Sequence, residues 1–190
     1  MNCSASLRSI SSIRTSMATN RGKQFETAIK ESFLKVPNVS VDRLHDQMTG
    51  FKVTSANICD FIVYREPYEY YIECKSVHGN TLPFTNISDN QWNGLLEKSK
   101  IKGVYAGVIC WWIDKNVTKW ISIDYLQSLK TSGYKSIRFD ITEDSTPPNW
   151  ADDTDLIDIN CKKKRVFYDY DMKQFFENFE WRLEYGKLCD

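Results

Sequence analysis

The spacing of apolar positions predicts a helix and then a strand at the start of the folded region. From residue 20, apolar side chains recur at steps of three and four, which places them on one face of a helix that Pro37 ends. This stripe comprises Phe25, Ala28, Ile29, Phe33 and Leu34. The next segment, "VSVDRL", alternates between apolar and polar residues, as a short strand does.

Two apolar runs predict strands at residues 58–65 and 69–75, with a turn around Glu66 and Pro67. The stretch "TLPFTNIS" is expected to be a loop that leads into a helix running to about residue 100. Ser88 is a suitable N-cap for that helix, because its hydroxyl can accept a hydrogen bond from a free backbone N–H.

The second half of the chain adds strands and helices. "GVYAGVICWWI" predicts a central strand and "VTKWISI" its hairpin partner, before a helix at residues 124–131. "YKSIRFDI" indicates a further strand, and "TEDSTPPNWADDTD" a loop. This order predicts a mixed α/β sheet flanked by helices. A last helix is indicated by the stripe of Met172, Phe175, Phe176, Phe179 and Leu183.

We expect one domain over residues 19–190, with a core at about 20–132 and an extension at 133–190. Residues 1–18 are rich in Ser and lack acidic side chains. A disordered tail, or a start upstream of Met17, is favoured over an organellar targeting segment.

Composition excludes several classes of protein. The chain has 190 residues, of which 42% are hydrophobic and 26% charged, as in ordinary soluble domains. No apolar stretch approaches the ~20 residues of a membrane-spanning helix, so membrane insertion is not expected. Six cysteines without a CxxC pair fit a reducing compartment such as the cytoplasm. Two histidines, neither spaced for ligation with a cysteine pair, argue against zinc.

Net charge is zero, but its distribution is uneven. Residues 140–158 carry acidic and no basic side chains, and a basic run follows at Lys162, Lys163, Lys164 and Arg165. Such asymmetry permits a local basic surface on a neutral protein. A merely solvated surface run is the equal alternative.

Three ionisable residues lie at the ends of the two apolar runs in "CDFIVYREPYEYYIECKS". Because side chains alternate along a strand, Glu73 and Lys75 point to one side, opposite the expected core side with Ile72 and Cys74. If the two strands pair antiparallel, Asp60 comes close to Glu73. Two such carboxylates repel each other unless a cation or a proton separates them.

A divalent metal bound by Asp60 and Glu73 would relieve this repulsion, and oxygen ligands favour Mg²⁺, with Mn²⁺ as a substitute. Such a metal activates a water and stabilises charge on a phosphoryl oxygen, and Lys75 would orient the water or counter that charge. Glu26, on the preceding helix, and Gln91, on the following one, would extend the cleft. The alternatives are a structural salt bridge at the strand end and solvated helix faces for Glu26 and Gln91.

The order of these segments resembles the PD-(D/E)xK nuclease superfamily and, within it, RecU-type Holliday-junction resolvases of bacteria and their phages. The resemblance runs from about residue 20 to residue 126. It comprises "NRGKQFE", Asp60 followed by "ECK", "LPFTNISDNQ", "GVYAGVIC" and "WISIDYL" in the family's order.

The resemblance implies a three-layer, restriction-endonuclease-like core, magnesium dependence and a homodimer that cuts DNA. The last predicted helix would be a C-terminal helical addition to that core. Asp60 and Glu73 would be metal ligands, Lys75 the catalytic lysine, and Glu26 and Gln91 further members of the site. Arg21 and Lys23 would contact DNA phosphates. The resemblance does not extend to the basic run 162–165, which its charge alone makes a candidate for the far wall of a DNA groove.

Two departures from the family bear on the substrate. Only residues 44–59 separate Arg43 from Asp60, so the long stalk of RecU proteins does not fit. The approach to Asp60 reads "TSANIC" in place of a threonine-rich segment. Nuclease chemistry survives these changes better than junction specificity does. The arrangement of Asp60, Glu73 and Lys75 makes a nuclease for branched DNA the leading hypothesis. A restriction-like or repair nuclease acting on duplex or flapped DNA, and a non-catalytic DNA-binding protein on a nuclease fold, are the alternatives.

Overall fold

The structure is a computed structural model that describes residues 21–44, 48–49, 52–53, 57–141, 154–165 and 167–185. The expected tail at residues 1–18 lies outside the described residues, as does most of the acidic segment 140–158. No helix in the described part of the chain is long and apolar enough to cross a membrane.

The helices are α1 (residues 21–33), α2 (Asp89–Ser99), α3 (Ile123–Thr131) and α4 (Met172–Tyr185), with a 3₁₀ turn at Phe84–Asn86. The strands are β1 (Ser40–Arg43), β2 (Met48–Thr49), β3 (Lys52–Val53), β4 (Phe61–Arg65), β5 (Tyr68–Val77), β6 (Thr81–Pro83), β7 (Val104–Trp112), β8 (Val117–Ser122), β9 (Ser136–Arg138), β10 (Leu156–Asp158), β11 (Cys161–Lys163) and β12 (Tyr168–Tyr170).

Six of these strands form the central sheet, in the order β1-β4-β5-β7-β8-β10. β5 and β7 pair parallel, and every other neighbouring pair in this sheet is antiparallel. A parallel pair needs a crossover connection, which α2 provides. The predicted mixed sheet is confirmed.

Helices cover both faces of the sheet and make three layers. On one face α1 and α4 pack against β5, where Tyr70 lies 5.2–5.3 Å, between ring centroids, from Phe176 and Phe179. On the other face α2 and α3 pack over β7 and β8 through Leu95 and Leu126. The predicted arrangement of a sheet between helical layers is therefore confirmed.

Short elements differ from the sequence expectations. The segment predicted as a loop at "TLPFTNIS" contains β6, which pairs with β9 outside the central sheet. Leu34 is 58% exposed because α1 ends at residue 33, so the predicted stripe ends at Phe33. Residues 133–190 contribute more than a helix: β10 extends the central sheet, and β11 pairs with β12 in a hairpin.

Gly107 lies on β7, where it pairs with Ser122 of β8. A Cβ on Gly107 would collide with the carbonyl oxygen of Ile121 and would lie 2.9 Å from the indole ring of Trp120. Ile121 and Trp120 are fully buried, so neither has room to move. The sequence GVYAG therefore places a glycine where any side chain would push the central strands apart.

We expect Gly107→Ala to lower the free energy of unfolding by about 1–3 kcal/mol, the usual cost of overpacking a core. Gly22→Ala in α1 is the matched control, since its Cβ would meet only Ser76 Oγ at an ordinary 3.7 Å. Urea unfolding of both variants measures the difference. Equal stability of the two variants would contradict the packing described for β7 and β8.

Candidate active site

The register of β4 and β5 brings Asp60 next to Glu73. Phe61 pairs with Ile72, and the Asp60 backbone N–H donates to the Ile72 carbonyl at 3.1 Å. The Asp60 carboxylate then accepts a hydrogen bond from the Cys74 backbone N–H at 2.8 Å, through Oδ2. Asp60 is thus fixed at the entrance of β4 by the backbone of the neighbouring strand.

Glu73 carries the most buried carboxylate of this group, with 3% of its side chain exposed. Its Oε1 lies 2.7 Å from Lys75 Nζ and accepts a hydrogen bond from Gln91 Nε2 at 2.7 Å. Its Oε2 is buried and has no hydrogen-bond partner among the described residues. A buried carboxylate oxygen without a partner is costly unless a ligand or a proton satisfies it.

Gln91 connects this pair to the start of α2. Its side-chain oxygen accepts hydrogen bonds from the Ser88 backbone N–H at 3.1 Å and from Lys75 Nζ at 3.3 Å. The Ser88 hydroxyl accepts in turn from the Gln91 backbone N–H, which completes a capping box. The side chain that caps the helix therefore also orients Glu73 and Lys75. The Ser-x-x-Gln spacing is the sequence signal that could have predicted this connection.

Glu26 faces the same cluster from α1, where Arg43 of β1 forms an ion pair with its Oε2. Burial and then the charge of Asp60 raise the pKa of Glu26, while Arg43 and Lys23 oppose the rise. The sequence reasoning missed Arg43, whose signal was its position at the end of the alternating strand "SVDR". Glu26 thus belongs to the cluster, and its carboxylate is already paired with the guanidinium group of Arg43.

The pKa of Glu73 is raised to about 7, because burial and then the charge of Asp60 disfavour its ionised form. Lys75 opposes this rise through its charge and its hydrogen bond. Glu73 lies on the face opposite Ile72 and Cys74, as expected, but α2 covers that face as well, so the side chain is buried. Lys75 keeps 20% of its side chain exposed and marks the solvent side of the pair.

These observations fit a divalent metal. The charges of Asp60 and Glu73 repel each other. Glu73 Oε2 is an oxygen that could ligate a metal ion, and it has no hydrogen-bond partner among the described residues. Within those residues, no group of three or more His, Cys, Asp or Glu side chains is arranged to hold a metal. The protein would therefore supply two carboxylates and leave the other positions to water, which Mg²⁺ accepts.

The predicted basic residues divide among several places. Lys23, Lys164 and Arg165 line one groove between α1 and the β11–β12 hairpin. Lys162 lines a neighbouring depression, and Lys163 is exposed on β11. The sixth predicted residue, Arg21, is exposed at the beginning of the described helix α1 and lowers the pKa of Asp114, although hydrogen bonds to that carboxylate lower it more. The basic run 162–165 therefore does not form a single wall.

No protein-family model and no curated protein matches the chain. Among solved structures, the 1.6 Å structure of Hjc, a Holliday junction resolvase from the archaeal hyperthermophile Archaeoglobus fulgidus, is similar over 54% of this chain and 78% of that chain. The sequence identity is 16% and the TM-score 0.41. Similarity at this level assigns no function, and the fold described above rests on the sheet and its two helical layers.

We expect the stability of the metal-free protein to fall as pH rises from about 4.5 to about 7 because of Glu73. In that window the folded state holds a proton on Glu73 that the unfolded state has already released, so each rise in pH favours unfolding. Glu73→Gln should remove this part of the slope, a difference on the order of 1–3 kcal/mol.

Urea unfolding at a series of pH values, in buffer with a chelator, measures this slope for both proteins. Glu97→Gln is the control, because Glu97 is an exposed glutamate on α2. Parallel pH profiles for the wild type and Glu73→Gln would show that Glu73 ionises in the folded protein as it does in the unfolded chain.

Proposed function

We propose that this protein is a metal-dependent endodeoxyribonuclease of the PD-(D/E)xK superfamily that hydrolyses phosphodiester bonds of branched DNA. One observation carries the proposal: Asp60, Glu73 and Lys75 meet at the open end of a strand pair, with one buried oxygen of Glu73 left without a partner among the described residues. A bound cation would satisfy that acceptor oxygen, which the ion pair with Lys75 leaves without a partner.

Asp60 and Glu73 would hold the ion, which we assign as Mg²⁺, with Mn²⁺ as a substitute. When bound, the ion lowers the pKa of a water and stabilises negative charge on a phosphoryl oxygen. The protein's own contribution is to fix both carboxylates before binding: Asp60 through the Cys74 N–H, and Glu73 through Gln91.

Lys75 would act as the catalytic lysine. Its ammonium lies between Glu73 Oε1 and Gln91 Oε1, and part of its side chain reaches solvent. From this position it would hold the attacking water by a hydrogen bond or compensate the charge that develops on the phosphate. Gln91 positions Lys75 and Glu73 together, and Glu26 with Arg43 would form the outer boundary of the site.

The substrate class rests on the resemblance to RecU-type resolvases, which also motivates the expected homodimer. The short connection at residues 44–59 leaves no room for the family's stalk. This departure favours a second candidate, a nuclease acting on duplex or flapped DNA, with the same catalytic residues. A non-catalytic DNA-binding protein would bind DNA without a metal and would show no effect of the Lys75 substitution on cleavage.

We expect Mg²⁺ to raise the Tm of the wild-type protein, because an ion that binds only the folded state stabilises it by about 2.7 kcal/mol at 100 times its Kd. Asp60→Asn and Glu73→Gln should abolish the rise, and Glu97→Gln should retain it. Thermal unfolding with and without Mg²⁺ measures this. An identical rise in all four proteins would place the metal elsewhere.

We expect the wild type to cut labelled four-way junctions in Mg²⁺ and to cut linear duplex more slowly. Lys75→Ala should reduce the cleavage rate by at least about 100-fold, the lower range of general acid–base contributions. Gln91→Glu keeps a residue able to form the capping box but removes the donor to Glu73, so it should impair cleavage with little loss of helix stability.

Lys102→Ala is the control for cleavage, since Lys102 is exposed before β7, near the end of β5 opposite to Lys75. Equal cleavage rates on junction and duplex would reject the preference for branched DNA but would leave the assignment as a nuclease intact. Cleavage by Lys75→Ala at the wild-type rate would reject the catalytic assignment.

A further inference from the structure

The flank of α1 that faces away from the acidic cluster of Glu26, Asp60 and Glu73 carries a basic and aromatic surface. There a groove of about 650 Å³ lies between α1 and the β11–β12 hairpin, which we call the hairpin groove. The Tyr170 backbone N–H donates to Ser32 Oγ at 3.0 Å and ties the hairpin to α1. The side chains that the argument uses are Lys23, Gln24, Thr27, Arg165, Phe167 and Tyr168.

The charges of the hairpin groove suit an anion. Asp169 is held by two lysines, since Lys35 and Lys164 both form ion pairs with its carboxylate. Lys23 and Arg165 add positive charge on opposite walls, while Glu31 adds one acid. The groove therefore has an excess of positive charge with a cation on each wall, an arrangement that favours phosphate groups.

The floor of the hairpin groove is aromatic and rigid. Phe167 and Tyr168 are partly exposed, and their rings pack edge-to-face on Trp111 with centroid distances of 5.3 and 5.6 Å. Trp111 is 4% exposed and belongs to the main core, so it holds both rings in place. Fixed aromatic rings beside cations are a stacking platform for bases.

The hairpin groove and the acidic cluster lie on opposite flanks of one helix. Glu26 faces Arg43 and Asp60 on one side of α1, whereas Gln24 and Thr27 line the groove on the other. A helix is about 10–12 Å across, so a strand of a few nucleotides passing over α1 reaches both. Lys23 lies between the two, because it lines the groove and its charge also acts on Glu26.

We propose that the hairpin groove binds an unpaired DNA strand next to the cleavage site, with phosphates at Lys23 and Arg165 and a base stacked on Phe167 or Tyr168. The role of this strand as part of the substrate rests on the proposed nuclease function. Duplex DNA offers its phosphates but keeps its base faces stacked inside the helix, so it cannot use the aromatic floor. Among branched substrates, the groove would favour one with a single-stranded segment at the branch, such as a flap, over a fully paired four-way junction, in agreement with the second candidate function.

Binding of a labelled oligothymidylate of about 20 nucleotides, longer than common single-strand sites, tests the proposal against a duplex of equal length. Fluorescence anisotropy in buffer with a chelator keeps the DNA intact. Tyr168→Leu should weaken oligothymidylate binding at least about fivefold and leave duplex binding unchanged. Gln24→Glu adds a negative charge at an exposed helix position without removing packing, and should weaken oligothymidylate binding as well.

Arg165→Ala should reduce the slope of log affinity against log salt by about 0.7 for the single strand, the value for one lost phosphate contact. Lys102→Ala should bind as the wild type does. Equal losses for the single strand and the duplex would make the groove a general phosphate surface and overturn the proposal, as would unchanged binding in Tyr168→Leu and Gln24→Glu.

These measurements distinguish a failure of the groove proposal from a failure of the proposed nuclease function. A protein that cuts DNA in Mg²⁺, but whose groove variants bind oligothymidylate normally, would keep the proposed function and overturn the groove. A protein that never cuts, but loses single-strand affinity in the groove variants, would overturn the proposed function and support the groove.

Discussion

The candidate site is organised by one constraint: the β4–β5 ladder holds the carboxyl groups of Asp60 and Glu73 side by side, where their charges repel each other. The ladder cannot separate them, because Asp60 is bonded to the β5 backbone and Glu73 is enclosed beneath α2. Lys75 compensates only one oxygen of Glu73. The folded protein therefore holds two carboxyl groups that cannot both ionise without repulsion. A proton on Glu73 relieves this repulsion, and a divalent cation would relieve it as well.

The capping box of α2 stabilises the start of the helix and also positions two side chains of the candidate site. Gln91 satisfies the first turn of the helix and, with the same amide, holds Glu73 and Lys75. Any shift of the α2 N-terminus would therefore move the two charged groups together. Gln91 thus couples the orientation of Glu73 and Lys75 to the start of α2, the helix that connects the parallel strands β5 and β7.

The long elements could be predicted from the sequence because their patterns are local. The stripe from Phe25 to Phe33 and the apolar run of β7 each determine an element without reference to the rest of the chain. β6 and β11 could not be predicted, because three-residue strands are set by their partners rather than by their own composition. The charged strand ends predicted which side chains meet. The partner of Glu26 and the covering of Glu73 by α2 depend on tertiary packing, and the roles of these residues stay predictions.

The packing of α4 has a consequence for the order of folding. Phe176 and Phe179 cover Tyr70 on β5, although more than a hundred residues of synthesis separate them. While the ribosome produces the intervening chain, that aromatic face has no cover, and the outer edge of β8 awaits β10. A nascent chain with an open strand edge and exposed aromatic rings is prone to misassociation.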